Sequence, residues 1–300
     1  MQNNSLAATG FLCLGVLVFS LQDPVLKWLA DVYPVTQAMT VRSVVALPIL
    51  LVLVGATTHL KSLRSRHAWL LTLRALIALG AYLFYYLSIA ALPLADAVAL
   101  FFVAPLIIAG LGIVVLGERP RRSTVIALVA GLIGVVITLQ PGSAIFEWAA
   151  ALTLVAAALY ASAQIMARKL GDREGAAVIT FYQNGAFLMG APLLAAVMGL
   201  GGVEHAGHPS LAFLVRPWVW PTGADLLLMG ACGVIASAGM TLLSQAYRLA
   251  PAGNVAVFEY SAIIWAPLWG FLFFAEVPKV TTLIGAVLIC GAGAVALRRS

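Results

Sequence analysis

The chain has 300 residues, of which 63 % are apolar and only 9 % charged. A soluble domain is nearer half apolar and a quarter charged, so lipid is the solvent that this composition fits. The net charge of +6 does not call for nucleic acid, because the basic residues gather at helix ends.

A spanning helix needs about 20 mostly apolar residues. Ten such stretches follow in order: 7–30, 35–56, 68–90, 95–117, 122–139, 145–169, 176–200, 223–248, 252–274 and 280–297. The expectation is an all-α integral membrane protein. The first stretch is no ordinary signal peptide: MQNNS before it carries no basic residue, and it runs past Asp23 and Lys27 without an A-x-A-like cleavage site. Two connections are longer, 57–67 and 201–222. The second holds Glu204, His205 and His208 among prolines and tryptophans. Trp218 and Trp220 suit a membrane–water interface, and loop composition explains the Glu–His cluster without a metal. Cys13, Cys232 and Cys290 lie within apolar spans at no metal-ligand spacing and read as small buried residues.

Ten helices put both termini on one side. Twelve Lys and Arg fall near the loops of that side and three (Lys27, Arg216, Lys279) on the other. Basic loops stay in the cytoplasm, so both termini should be cytoplasmic, in the inner membrane of a bacterium.

The halves repeat. Pro93 and Pro251, Glu118 and Glu276, Pro120 and Pro278, and Thr124 and Thr282 are each 158 residues apart. At the start of each half the offset is 142, which sets Gln22 on Gln164, Lys27 on Lys169 and Arg42 on Asn184. The units are 1–142 and 143–300. Five helices is an odd number, so the second copy enters the membrane inverted. Ten helices as two inverted five-helix repeats are a signature of secondary transporters.

The segments 20–43, 85–142 and 244–279, with a helix–Pro–helix hairpin ending in GE-x-P (Gly117, Glu118, Pro120) and AE-x-P (Ala275, Glu276, Pro278), resemble the drug/metabolite transporter superfamily, specifically its ten-helix EamA-type members. Ala275 stands where the first half has Gly117, a departure that bears on the turn. The resemblance implies a carrier of small metabolites. Amino acids or related compounds are the first expectation, with export the direction. Riboflavin-like or nucleoside-like metabolites and a lipid-linked-sugar flippase on the same fold are the alternatives. A membrane enzyme or sensor without transport is a distant one.

Polar groups within a bilayer invite a functional reading. Asp23 and Arg42 sit at about 10 Å depth from the external side by helical rise, and Lys27 lies one turn from Asp23 on the same face. Gln22 adjoins them. Arg42 or Lys27 would hold a substrate carboxylate; the plainer alternative is an Asp23–Arg42 pair that locks two helices. Gln164, Gln183 and Asn184 lie at matching depth from the other side, as does Glu259. Asp23 and Glu259 are the candidate proton-coupling residues. For Glu259 the alternative is a structural hydrogen bond to Tyr260 or Gln245. Tyr82, Tyr85, Tyr86, Phe101, Phe102, Tyr160, Tyr182, Tyr247, Tyr260 and Trp265 are the aromatic lining of a cavity that accepts rings as well as polar ends.

Pro24, Pro48, Pro105, Pro192 and Pro267 interrupt spans as hinges or static kinks. No P-loop, zinc motif or nucleophile–base pair is present, so neither ATP, nor a metal, nor a cofactor, nor a catalytic site is expected. The partners expected are a small-molecule substrate, the bilayer and a proton or other coupling ion. The helices ending each half are almost free of polar residues and suit the periphery or a homodimer.

Overall fold

The computed structural model describes residues 2–118, 122–139, 148–171, 173–200 and 207–275, together with 277, 284, 287 and 288. Every regular element among the described residues is a helix, and no strand is among them. The helices are α1 (Gln2–Ser20), α2 (Gln22–Leu29), α3 (Val35–Thr57), α4 (Ala68–Ile89), α5 (Leu94–Phe101), α6 (Ala104–Leu116), α7 (Arg122–Leu139), α8 (Trp148–Leu170), α9 (Ala176–Leu200), α10 (Pro209–Val215), α11 (Gly223–Leu249), α12 (Ala252–Ala256) and α13 (Ala262–Phe274). Two 3-10 turns join them, Leu60–Leu63 and Val257–Ser261.

Among the described residues, seven helical stretches are long and apolar enough to cross a membrane, and α6 is a shorter apolar helix. The expected stretch 122–139 is helical as α7. The expected tenth span, 280–297, falls outside the described residues apart from three positions. Outward faces stay apolar, as lipid requires: Val52, Leu227 and Val114 are each more than 70 % exposed.

Three expected spans are broken. The first divides at Leu21, one residue before the polar pair Gln22 and Asp23. The fourth divides at Phe102–Val103, just ahead of Pro105. A proline ring has no N–H to bond the carbonyl four residues back, so the chain turns there. The ninth tightens to a 3-10 turn at Val257–Ser261, with Glu259 at its centre. This break sits 158 residues after that of the fourth span, yet no proline occupies 263. Pro48 and Pro192 stay inside α3 and α9, and Pro267 inside α13. The loop 201–222 holds an unforeseen helix, α10, for which His208 is the N-cap: its Nδ1 accepts from the Ser210 backbone N–H at 3.2 Å.

The most extensive packing crosses the halves. α4 lies on α8, α1 on α11, and α3 on α9. The first two pairs exchange under the repeat, since α1 corresponds to α8 and α4 to α11. The third maps onto itself. This pairing fits a two-repeat architecture around one axis. At the α3–α11 crossing Gly233 is obligatory: a Cβ there would stand 2.5 Å from the Arg42 carbonyl oxygen and 2.9 Å from Val45 Cβ.

Candidate functional site: a two-carboxylate cavity between the halves

The helix breaks and the polar residues meet at one place. A cavity of about 100 Å³ is lined by α1 and α2 (Phe19, Ser20, Asp23), α4 (Tyr82, Tyr85), the α5–α6 break (Phe101, Phe102, Pro105), α8 (Tyr160), α11 (Leu243) and the 3-10 turn (Glu259). A break interrupts the backbone ladder, so that a side chain at it points across the bundle rather than along the helix face. Two of the broken segments deliver the two carboxylates.

Glu259 is 6 % exposed. One oxygen, Oε1, accepts the phenol O–H of Tyr160 at 2.8 Å and of Tyr247 at 2.5 Å. Its partners are thus tyrosines of α8 and α11, rather than Tyr260 or Gln245. Tyr260 instead donates to the Leu128 carbonyl at 3.3 Å, and Gln245 accepts from Arg248 at 2.7 Å. Asp23 Oδ2 accepts from Tyr85 at 3.1 Å, and Oδ1 is buried without a hydrogen-bond partner among the described residues. Phe101 packs between Tyr85 and Tyr160, with ring centroids 5.2 Å from each. Aromatic surface thus runs from one carboxylate to the other.

Arg42, 1 % exposed, stands one layer behind this wall. It donates to Gln22 at 3.1 Å and to the Tyr86 hydroxyl at 3.0 Å, and its guanidinium lies 4.9 Å over the Phe187 ring. Gln22 also bonds Tyr86. No ion pair joins Arg42 to Asp23 among the described residues: the helix-locking knot is Arg42–Gln22–Tyr86. Among the described residues, Arg42 Nε and Nη2 have no hydrogen-bond partner. Phe187 in turn packs edge-on against Tyr82, centroids 5.5 Å apart, so these rings join the knot to the cavity wall.

A second, smaller cavity of about 10 Å³ adjoins the first and shares Tyr82, Tyr160 and Leu243 with it. Gln164, Gln183, Ser244 and Arg74 add polar groups to its lining, and Ala78, Ala163 and Met240 add apolar ones. Arg74, 3 % exposed, was not among the expected site residues, although an arginine six residues inside a span was a legible signal. It donates to the Ala163 carbonyl at 3.1 Å and to Gln183 at 2.7 Å. Asn184 donates to the Ser43 carbonyl at 3.0 Å and ties α9 to α3.

Seven expected residues, Asp23, Tyr82, Tyr85, Phe101, Phe102, Tyr160 and Glu259, therefore share the main cavity. Gln164 and Gln183 line the second. Gln22, Arg42 and Tyr86 form the knot behind. Asn184, Tyr182, Tyr247, Tyr260, Lys27, Gln245 and Trp265 line neither cavity. Lys27 donates to the Leu92 carbonyl at 3.2 Å and sits 5.1 Å over the Phe274 ring. Gln245 holds Arg248, and Trp265 stacks on Trp269.

Both ends of the bundle are tied. At the end predicted to be cytoplasmic, Glu118 Oε1 accepts from Arg168 at 3.2 Å and Oε2 from the Ala252 backbone N–H at 2.9 Å. At the other end the strap after α10 crosses the α2–α3 turn. Arg216 donates to the Ala30 carbonyl at 2.6 Å, Trp218 to Thr36 at 3.0 Å, and Gln37 to the Val219 carbonyl at 2.6 Å.

Comparison with known proteins agrees with this architecture. The model of the EamA-like transporter family matches residues 7–140 and again 147–298. A pseudopaline exporter of Pseudomonas aeruginosa is 32 % identical over 207 residues, 68 % of this chain and, just under two thirds, 66 % of the exporter. A riboflavin transporter of Rhizobium johnstonii is 28 % identical over 80 % of this chain and 73 % of its own. One crystal structure superposes with a TM-score of 0.73 at 20 % identity, covering 97 % of this chain and 98 % of that one, a likeness of fold.

Proposed function

Because this chain belongs to the EamA-like transporter family, we propose that it is a secondary transporter that exports small metabolites by alternating access, with amino acids or related compounds as its substrates. The observation that carries the reading is the main cavity: two carboxylates, Asp23 and Glu259, face one tyrosine- and phenylalanine-lined space where the halves meet. Carboxylates accept from an ammonium, and the rings supply apolar and cation–π surface. A carboxylate in that setting also exchanges its proton for a cationic substrate, which would couple transport to a proton gradient. Breaks beside both carboxylates give the segments that would rock as the cavity changes its open side.

A riboflavin-like substrate is the second reading, favoured by the aromatic walls and by the riboflavin transporter among the relatives.

The test is uptake of a labelled amino-acid panel and of riboflavin into proteoliposomes, with and without a pH gradient, for the wild type and Glu259→Gln. Selective amino-acid accumulation that follows the gradient in the wild type and ignores it in the variant is the expected result. Riboflavin uptake alone selects the second reading, and gradient-driven uptake intact in Glu259→Gln removes Glu259 from coupling.

A further inference from the structure

The main cavity offers acceptors for a cation, yet an amino acid also carries a carboxylate. Of the cations first considered, neither Arg42 nor Lys27 lines a described cavity. Arg74 does. Its guanidinium is held by neutral partners only, the Ala163 carbonyl and Gln183. No carboxylate forms an ion pair with it among the described residues. A fixed cation inside a bundle with neutral partners alone is incompletely compensated, and an anion brought to it gains charge-assisted, bidentate bonds. The space beside Arg74 admits one water-sized group, so a carboxylate enters only if the wall toward the main cavity moves. That wall is Tyr82 and Tyr160, with ring centroids 6.5 Å apart. Tyr160 is held in place by its hydrogen bond to Glu259.

Resting on the amino-acid reading above, we infer that Arg74 with Gln183 is a carboxylate subsite and that Tyr160 is its gate. The ligand class is a zwitterion with ammonium and carboxylate on one end. Its ammonium competes with Tyr160 for Glu259, Tyr160 swings away, and the carboxylate reaches Arg74. An amine without a carboxylate fills the main cavity and gains nothing from Arg74.

The experiment measures equilibrium binding of tryptophan and tryptamine, which differ by that carboxylate alone, to the purified protein. The expected result is wild-type preference for tryptophan of about tenfold or more, the loss expected for hydrogen bonds to a charged group. Arg74→Gln abolishes the preference while tryptamine binding stays, and Arg74→Lys restores part of it. Equal weakening of both compounds, or a preserved preference, overturns the subsite. Should Arg74→Gln not fold, Tyr160→Phe decides: loss of the gate's anchor raises the tryptophan preference, and an unchanged or lower preference overturns the gate. If neither compound binds the wild type, the amino-acid reading fails and the subsite is tested alone, by thermal protection with indole-3-propionate against its neutral amide. Protection by the carboxylate that vanishes in Arg74→Gln supports it, and none overturns it.

Discussion

Glu118 ties three elements at one end of the bundle, and its removal should favour opening there. Oε1 bonds Arg168 of α8, and Oε2 bonds the first N–H of α12, so Glu118→Ala severs the end of α6 from both. The Arg168 pair is partly exposed, with side chains 23 % and 17 % accessible, and contributes at most about 1 kcal/mol. The bond to the helix N–H is charge-assisted and adds about 1 kcal/mol more. A loss of about 1.5 kcal/mol shifts the closed-to-open ratio about tenfold, provided that the open state lacks both bonds. The assay uses Ser244→Cys beside the second cavity, in a protein with Cys13, Cys232 and Cys290 replaced. An impermeant maleimide added to the Glu118 side should label it about tenfold faster in Glu118→Ala. Glu118→Gln keeps an acceptor for the Ala252 N–H and should fall between. An unchanged rate in a normally folded variant would refute the latch. Glu276, its counterpart in the second half, lies outside the described residues.

Other positions give sharper stability readings. Gly233→Ala should destabilise by about 1–3 kcal/mol, the usual range for overpacking, because the new methyl meets the Arg42 backbone rather than a flexible side-chain end; a Tm equal to the wild type would contradict the crossing. Ala275, at φ 55°, and Gly117, at φ 67°, both close a helix in the left-handed region. Ala275→Gly should raise stability by about 1 kcal/mol, since the strained Cβ disappears, and a fall in Tm would refute the turn. Tyr33→Phe removes the bond to Asp225 at 2.8 Å and should speed hydrogen exchange across 216–222. That bond pushes the Tyr33 phenol above its ordinary 10.0. Its hold is complete below about pH 10 and is lost as pH rises through the raised value; tyrosinate absorbance appearing at the ordinary pH would refute it.

The periodic part of this architecture was legible because it is local. Apolar runs mark spans wherever lipid is the solvent, and an ungapped offset of 158 aligns Glu118 with Glu276 and Pro93 with Pro251. The breaks were less so. Pro105 announces one, but the matching 3-10 turn at Val257–Ser261 has no proline at the equivalent place. It was visible only through the repeat. The departure at Ala275 was visible as well, and the backbone adopts the glycine-like conformation there regardless.

Partners across the bundle were not legible, because crossing angles and helix rotation decide them. Glu259 meets Tyr160, 99 residues away, and Tyr247, 12 away, rather than its neighbour Tyr260. The repeat does not carry the cations from one half to the other. It maps Arg42 onto Asn184, a neutral residue, and so suggests one cationic end. The charge on the other side comes instead from α4, where Arg74 lies about 9 Å in from the helix start by its rise. Its own repeat position, offset by 158, is Cys232. The halves therefore share a scaffold but not a charge pattern. One arginine is spent on a knot of Gln22, Tyr86 and Phe187, while the other keeps a cavity at its side. A symmetric scaffold can exchange its open sides at little cost. An asymmetric set of charges within it is what lets one end of a ligand be told from the other.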